Sequence, residues 1–268
     1  MPAALIKRLA ALLHRPPASR RPGTGDRKPE SADATGTTRP ARCGNGPASA
    51  AGAPAPPPVI PGNQDILEHP LVVFDLETSG LDVGRDAVLS LGAVRIEGGA
   101  IPLAGHLDRV LRVDARLKPD SQLMHGLSQE DLRRGADPAA ALAELLAYGG
   151  GRIWLAFHAE FDRRMLDRAL RRHLGGGFSH PLFDVAALAP MLFPEHDRRD
   201  AGLDHWAGIF GLATPARHTA AGDALLTAEI ALVLLHEARR QGLRTWGGLA
   251  GALRQWERRR AAQGGPMF

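Results

Sequence analysis

Two carboxylates that follow an apolar run are the first residues of this sequence whose type and spacing suggest chemistry. Residues 71–74 are apolar and favour a buried strand, and Asp75 and Glu77 come directly after them. Because strand side chains alternate between faces, both carboxylates project to the same side. Like charges at the end of a buried strand are costly unless a cation neutralises them, and divalent ions with oxygen ligands would do so. The pair alone leaves open the alternative that both acids are turn and cap residues.

The segments around this pair predict an α/β domain. A second strand is expected over 87–96 and, after a tight turn at Gly98-Gly99, a third over 100–113. A fourth strand over 152–157 and a short fifth over 182–184 each lead into a helix. The sequence also predicts helices over 121–125, 128–133, 138–148, 185–192, 203–210 and 220–240. A meander followed by alternating strands and helices implies a layered α/β domain with a mixed sheet.

Composition divides the chain into three parts. Residues 1–62 hold 12 of the 21 prolines and nine Lys and Arg against three Asp and Glu, which leaves 24 against 26 for the remainder. The net charge of +4 therefore comes from this segment and does not describe a basic folded domain. We expect a disordered Pro/Ala/Arg-rich leader over 1–62, because such a segment cannot bury enough apolar surface to offset its ordering entropy. The folded domain is expected over 63–242, followed by a basic helical tail over 243–268. Within that tail, residues 254–260 are expected to form a solvated helix face with Trp256 as its one anchor.

The sequence favours a cytoplasmic protein without stable membrane insertion. No apolar run approaches the ~20 residues that span a bilayer. The single cysteine, Cys43, lies in the leader and has no intrachain partner, which fits a reducing compartment. The first 15 residues place leucines at helical spacing but lack the apolar core of a secretory signal, and we interpret them as a frayed helix.

Three further side chains are candidates for the same chemistry as Asp75 and Glu77. Asp162 is expected one turn into the helix that follows the fourth strand, and His218 and Asp223 flank the start of the last long helix. Each has a simpler explanation when taken separately. An acid in the first turn of a helix is favoured by the helix dipole, and a histidine on a loop is often only solvated.

The order and context of these residues resemble those of the DEDDh, or DnaQ-like, 3′–5′ exonuclease family. Residues 75–81 resemble its first motif, D-x-E-T-(T/S)-G-L, and residues 158–162 resemble its second, N-A-x-F-D, with His158 in place of the usual Asn. Residues 218–223 are similar to the third, H-x4-D, and 125–127 to an accessory segment. Three ordered motifs are a much stronger signal than one. The resemblance implies a ribonuclease H-like three-layer domain with a central mixed five-stranded sheet flanked by helices.

The same resemblance implies a two-metal site. It assigns two divalent cations, Mg²⁺ or Mn²⁺, to four ligands and makes His218 the general base, a role that suits an imidazole near neutral pH. The four expected ligands, which are also counted as catalytic, are Asp75, Glu77, Asp162 and Asp223. The expected substrate contacts are Thr78, Gly80, Leu81, His125, His158 and Phe161, of which His125 is the weakest.

The function implied is hydrolysis of phosphodiester bonds from the 3′ end of single-stranded nucleic acid, with DNA favoured and nucleoside monophosphates released. The alternatives are an RNA-trimming or short-oligonucleotide enzyme of the same fold and a catalytically silent binding module. The expected partners are single-stranded 3′ ends and, as one option, a DNA polymerase. The sequence leaves the oligomeric state open.

Overall fold

The computed structural model describes residues 62–102, 104–114, 125–199, 201–213 and 216–263. The predicted helix at the start of the chain and almost all of the predicted leader lie outside these residues, as does most of the helix predicted over 121–125. The other predicted elements fall within the part that the structure describes, except residue 103 of the predicted third strand and residues 264–268 of the predicted tail.

Five strands form one mixed sheet, which confirms the predicted fold class. They are β1 (Leu71–Thr78), β2 (Val88–Ile96), β3 (Leu107–Val110), β4 (Ile153–Ala156) and β5 (Leu182–Asp184). Their order across the sheet is β3-β2-β1-β4-β5. β2 runs antiparallel to both β1 and β3, whereas β4 is parallel to β1 and β5 is parallel to β4.

The described helices cover both faces of this sheet. They are α1 (Gln129–Arg134), α2 (Pro138–Gly149), α3 (Ala159–Leu174), α4 (Val185–Leu192), α5 (Leu203–Phe210), α6 (Ala220–Arg240) and α7 (Trp246–Ala262), with a 3-10 turn at Pro194–His196. The bounds of α4, α5 and α6 agree with those predicted from the apolar spacing.

The third strand is shorter than predicted. The tight turn after β2 forms at Gly98-Gly99, both in the left-handed region, and Glu97 and Ala100 exchange backbone hydrogen bonds across it. Regular pairing resumes only at Leu107, opposite Ala93. Pro102 has no N–H to donate to a ladder, and its carbonyl oxygen lies 2.9 Å from Nε2 of the His106 ring, so neither residue joins the pairing with β2.

The side chains of β1 alternate between the two faces of the sheet, and each face has its own apolar core. Val72, Phe74 and Leu76 pack in the core beneath α2 and α3. Leu71 and Val73 pack in the other core, beneath α4, α6 and α7. The strand is therefore buried on both faces, as its continuous apolar run predicts.

The first two turns of α7 pack into the second core, which the sequence analysis did not predict. Residues 254–260 are largely exposed with Trp256 partly buried against the core, which agrees with the expected solvated face and its one anchor. Trp246, Leu249 and Leu253 are buried among the core residues, and the Trp246 ring lies 4.9 Å from that of Phe183 on β5. Trp256 is only partly buried, beneath the Arg260 guanidinium. The sequence reading missed the packing of the first two turns because the arginines near the end of the helix obscure their apolar stripe.

Within the described residues, none of the helices has both the length and the apolar character needed to cross a bilayer.

The two tryptophans of α7 provide a test of this packing. We expect Trp246→Ala to lower the free energy of unfolding by about 3–5 kcal/mol, because it empties a fully buried site. Trp256→Ala should cost clearly less, since part of that ring is already in water. Urea unfolding of both variants checks this ranking, and an equal or larger cost for Trp256→Ala would contradict the packing described here.

Candidate active site

Asp75 and Glu77 lie near the carboxyl end of β1 and face the same side of the sheet. Asp75 is opposite Gly92 and Glu77 is opposite Ser90 in the antiparallel register with β2. Asp75 follows Val73 by two residues, so it faces the layer that contains α6. The period-2 prediction for this pair is confirmed.

Gly92 allows the first turn of α6 to approach the sheet. A Cβ at this position would lie 2.2 Å from the backbone carbon of Ala220, the first residue of α6. Thr219 caps the same helix by accepting the N–H of Gly222 at 3.1 Å. Asp223 belongs to this first turn, and the missing side chain at position 92 therefore brings it towards β1.

Three carboxylates converge where these two elements meet. One oxygen from each of Asp75, Glu77 and Asp223 lies within 4.8 Å of the others, and all three residues are partly buried. Of the residues that the structure describes, these form the group whose spacing suits a metal ion. Carboxylate oxygens are the ligands that hard divalent cations such as Mg²⁺ and Mn²⁺ prefer.

Asp162 approaches the same end of β1 from the opposite layer. It lies near the start of α3, only 5% exposed, and accepts the backbone N–H of Leu76, the residue between the two β1 acids. The charge of Asp162 raises the pKa of Asp75, so the two carboxylates are neighbours, although Asp162 does not belong to the 4.8 Å group.

The electrostatics of the cluster favour a bound cation. Burial raises the pKa of Asp75 well above its ordinary value, and the charges of Asp162 and Glu77 raise it further. Burial also raises the pKa of Glu77, and that of Asp162 strongly. A carboxyl whose pKa is higher in the folded protein stabilises the fold only while protonated, and this contribution is lost as pH rises through the folded-state pKa. Once ionised, the cluster is therefore destabilising without a cation, and the residues present fit a divalent ion.

A guanidinium is the cation that the structure places at this cluster. Arg217 forms an ion pair with Asp223 through Nη1, and its Nε donates to Asp204 of α5 at 2.7 Å. Its charge lowers the pKa of Asp75 and Glu77, in opposition to burial. Sequence reasoning assigned no role to Arg217, because nothing in a loop arginine indicates which acids it will meet.

His218 lies beside Asp223 on the loop that leads into α6. Its backbone N–H lies 3.3 Å from Oδ1 of Asp223, and its side chain is exposed. The residue adopts a left-handed backbone conformation with φ of 62°. This conformation is uncommon for residues other than glycine and asparagine. Its role as a base stays a prediction, and its exposed position beside Asp223 agrees with that role.

His158 is the other described residue besides glycine with positive φ, at 57°, and it directly precedes α3. Asp184, at the end of β5, holds this strained position. Its Oδ1 accepts the N–H of His158 at 3.0 Å and that of Ala186 at 2.9 Å, and the N–H of Ala159 also donates to the carboxylate. Asp184 therefore positions the start of α3, which carries Asp162. Sequence reasoning passed over it as the end of a short strand, although an acid between a strand and a helix is a signal for a cap.

A compact turn follows β1. The Thr78 hydroxyl donates to the Gly80 carbonyl at 2.8 Å, and Ser79 donates to the Asp86 carboxylate at 2.9 Å. A Cβ on Gly80 would lie 2.4 Å from that same carboxylate, so any other residue would displace Asp86 from its hydrogen bond with Ser79. The turn projects Leu81 into solvent with 85% of its surface exposed. A large apolar side chain at such a position is available to contact a ligand.

The two remaining predicted substrate contacts, Phe161 and His125, are packed into the protein. Phe161 is partly buried against the core beneath α3. His125 is buried, and its Nδ1 accepts the N–H of Leu127 at 3.1 Å, which fixes the turn before α1. Burial lowers the pKa of His125, which favours the neutral ring that this hydrogen bond requires. Contact of either residue with substrate stays a prediction.

Gly92→Ala tests the approach of α6. We expect a loss of about 1–3 kcal/mol in the free energy of unfolding and a smaller stabilisation by Mg²⁺, because the added methyl group displaces the turn that carries Asp223. Urea unfolding with and without Mg²⁺ measures both effects. Gly251→Ala is the matched control, since a Cβ there meets open space on α7 and should stabilise by about 0.5–1 kcal/mol. An unchanged response to Mg²⁺ in Gly92→Ala would contradict this account.

Asp75→Asn tests the electrostatics. In EDTA, at a pH above the pKa of Asp75, we expect its Tm to exceed that of the wild type by a few degrees, at about 2–4 °C per kcal/mol, because a charge whose pKa burial raises is removed. The wild-type Tm in EDTA should rise as pH is lowered through that pKa, and Mg²⁺ should raise the Tm of the wild type only. Asp108→Asn, an exposed carboxylate on β3, is the control. A lower Tm for Asp75→Asn in EDTA would contradict the assignment.

Comparison with known proteins gives one consistent family. A family model described as Exonuclease (RNase_T) matches residues 72–231. The chain is 31% identical over 202 residues to a DNA polymerase III subunit epsilon-like protein of Rhodobacter capsulatus, covering 72% of this chain and 28% of that protein. It is 29% identical over 173 residues to the DNA polymerase III subunit epsilon of Aquifex aeolicus, covering 65% of this chain and 84% of that protein.

The fold agrees with this family. The structure of E. coli exonuclease I in complex with a dT13 oligonucleotide matches with a TM-score of 0.56 and 18% identity, over 65% of this chain and 43% of that one. The chain spans only about a quarter of the Rhodobacter protein and 12% of the PolC-type DNA polymerase III of Thermotoga maritima, to which it is 30% identical. The family match nevertheless covers more than half of the chain and contains all four predicted acids and His218. This chain therefore belongs to the Exonuclease family, as a domain with the DEDDh set of residues and a ribonuclease H-like fold.

Proposed function

We propose that this protein removes nucleotides from the 3′ end of single-stranded DNA by hydrolysing the terminal phosphodiester bond. The observation that carries the proposal is the convergence of Asp75, Glu77 and Asp223 within 4.8 Å, with Asp162 buried beside them. Hydrolysis of a phosphodiester spreads negative charge over the attacking and leaving oxygens, and an acidic cluster that holds cations is suited to this charge.

Four carboxylates would hold two divalent cations, Mg²⁺ or Mn²⁺. When bound, these ions would supply Lewis-acid stabilisation of the phosphate and activation of water. Asp75, Glu77 and Asp223 offer one oxygen each to a common centre, and Asp162 supplies a fourth carboxylate from the other layer of the domain. The N–H of Leu76 orients the Asp162 carboxylate, which keeps one of its oxygens turned towards β1.

His218 would accept the proton of the attacking water. Its loop is tied to Asp223 by the backbone hydrogen bond, so the ring is carried by the same turn that carries a predicted metal ligand. An imidazole is the side chain that exchanges protons most readily near neutral pH, and the exposure of His218 gives a released proton a path to solvent.

The turn after β1 would bind the terminal nucleotide. Leu81 offers an exposed apolar surface to a base, and the fixed Thr78–Gly80 turn places backbone groups beside the acids. Phe161 and His158, at the start of α3, would border the same nucleotide from the other side. His125 would act less directly, because its ring nitrogen already serves a turn.

DNA is favoured as substrate because the relatives are named as subunits or types of DNA polymerase III. Association with a DNA polymerase is proposed on the same basis, and the cytoplasmic location stays a prediction. RNA and short oligonucleotides are the alternative substrates. A silent binding module is disfavoured by the intact acidic cluster, since each unneeded buried carboxylate would destabilise the fold.

The direct test incubates the full chain with 5′-labelled single-stranded DNA, RNA and a dinucleotide, in Mg²⁺, in Mn²⁺ and in EDTA. We expect the DNA label to remain on progressively shorter products in either metal and to stay at full length in EDTA. Asp75→Asn should give no shortening. Faster shortening of RNA would reassign the substrate, whereas shortening by Asp75→Asn at the wild-type rate would overturn the proposed mechanism.

His218→Asn tests the general base. Asparagine tolerates the left-handed backbone at this position, so the substitution removes the imidazole without adding strain. We expect a loss of about 10²–10⁴-fold in rate at saturating Mg²⁺, the usual contribution of a positioned base. The fall in wild-type activity below neutral pH should be absent from the variant, while its Tm should still rise with Mg²⁺. His173→Asn, an exposed histidine of α3, is the control. Near-normal activity of His218→Asn, or the same acidic fall, would show that the histidine is not the base.

A further inference from the structure

Arg217 lies between two carboxylates that differ sharply in their surroundings. Asp223, its partner through Nη1, has a side chain only 13% exposed and belongs to the acidic cluster. Asp204, its partner through Nε at 2.7 Å, has a side chain 73% exposed and belongs to α5. Arg217 itself is 21% exposed, so its guanidinium is mostly enclosed where it bridges the two.

The bond to Asp223 competes with cation binding. The Oδ1 atom that pairs with Arg217 also accepts the N–H of His218, so a cation at Asp223 either replaces the guanidinium on Oδ1 or binds Oδ2 close beside it. A guanidinium and a divalent cation that share one carboxylate would also repel each other strongly in a partly buried site. The charge of Arg217 already acts on Asp75 and Glu77, whose pKa values it lowers, so it partly replaces the charge of a metal ion.

The bond to Asp204 gives the guanidinium a second partner outside the cluster. Because Nε and Nη1 bond to different carboxylates, Arg217 can give up Asp223 and still keep one charge-assisted hydrogen bond. Asp204 is well solvated, and an ion pair with it costs little to maintain. The planar, two-armed guanidinium makes this arrangement possible, whereas a lysine would have to choose one partner.

We propose that Arg217 is an internal counter-ion that exchanges with the divalent cation at Asp223 and is retained by Asp204 when the cation binds. Arg217 thereby sets the cation concentration at which the site fills and stabilises the acidic cluster until then. This inference rests on the proposed function for the identity of the site, but it concerns cation affinity and not turnover. Arg217 is a positioning residue in this scheme and need not touch the substrate.

Substitution of Arg217 and substitution of its outer partner, Asp204, should change the Kd for Mn²⁺ in opposite directions. Arg217→Met removes the competitor, so the Kd for Mn²⁺ should fall by about three- to tenfold, the equivalent of one partly screened ion pair. Asp204→Asn removes the outer partner and leaves Arg217 more firmly on Asp223, so the Kd should rise by a similar factor. If Asp204 acts only through Arg217, the double variant should match Arg217→Met.

The experiment is a titration of Mn²⁺ into the metal-free full chain, followed by calorimetry and by the electron paramagnetic resonance of free Mn²⁺. Tm in EDTA and in Mn²⁺ gives a second measure, and Arg217→Met should have the lower Tm in EDTA and the larger rise on metal addition. Arg133→Met, which removes an exposed ion pair with Glu130 on α1, is the control and should leave the Kd unchanged. Asp204 is on the surface, so Asp204→Asn provides a reading even if Arg217→Met fails to fold.

Two outcomes would overturn the proposal. Weaker or unchanged Mn²⁺ binding by Arg217→Met would mean that the arginine holds Asp223 in place for the metal or has no effect on it. An unchanged Kd for Asp204→Asn would mean that the outer partner plays no part. The same preparations are assayed on single-stranded DNA, so the two proposals separate. The expected shifts in Kd without nuclease activity in the wild type would count against the proposed function alone, and nuclease activity with unshifted Kd values would count against Arg217 alone.

Discussion

The repulsion among carboxylates at the end of β1 is the constraint on which the rest of the site depends. Burial and mutual charge raise the pKa of Asp75 and Asp162 well above their ordinary values. The protein surrounds the acids with groups that partly offset this cost, including the N–H of Leu76 and the guanidinium of Arg217. The offset is incomplete, since the pKa values remain raised. An incomplete offset leaves a site that a bound divalent cation would stabilise, which agrees with the metal-dependent hydrolysis proposed for it.

The layered architecture brings these charges together without a long polar segment inside either core. Asp75 and Glu77 come from the central strand, Asp223 from the helix on one face and Asp162 from the helix on the other. Each acid lies near the end of an element whose core-facing residues are buried and apolar, so the cores fix its position. Gly92 sets the spacing of one of these layers, because any side chain there would separate α6 from the sheet.

Strained backbone occurs at the site and is held by specific hydrogen bonds. Among the described residues other than glycine, positive φ is confined to His158 and His218, which open the second and third motifs. The Asp184 carboxylate accepts backbone N–H groups at the first of these positions, and Asp223 accepts that of His218 at the second. Such conformations persist only where the surroundings determine them strongly, and they commonly mark functional sites. Acids at both positions therefore serve the geometry of the backbone as well as the charge of the cluster.

The sequence by itself determined the strand that carries the first two acids, their common face, the bounds of α4, α5 and α6, and the motifs of the family. These features are local: apolar period, cap residues and short-range spacing specify them. Only the tertiary structure decided that Asp184 supports His158, that Arg217 joins Asp223 to Asp204, and that α7 completes a core. These contacts join residues that are distant in sequence or that lie on irregular loops, where side-chain direction follows from the packing of neighbouring elements. An isolated aspartate or arginine has no periodic pattern that could reveal such a partner in advance.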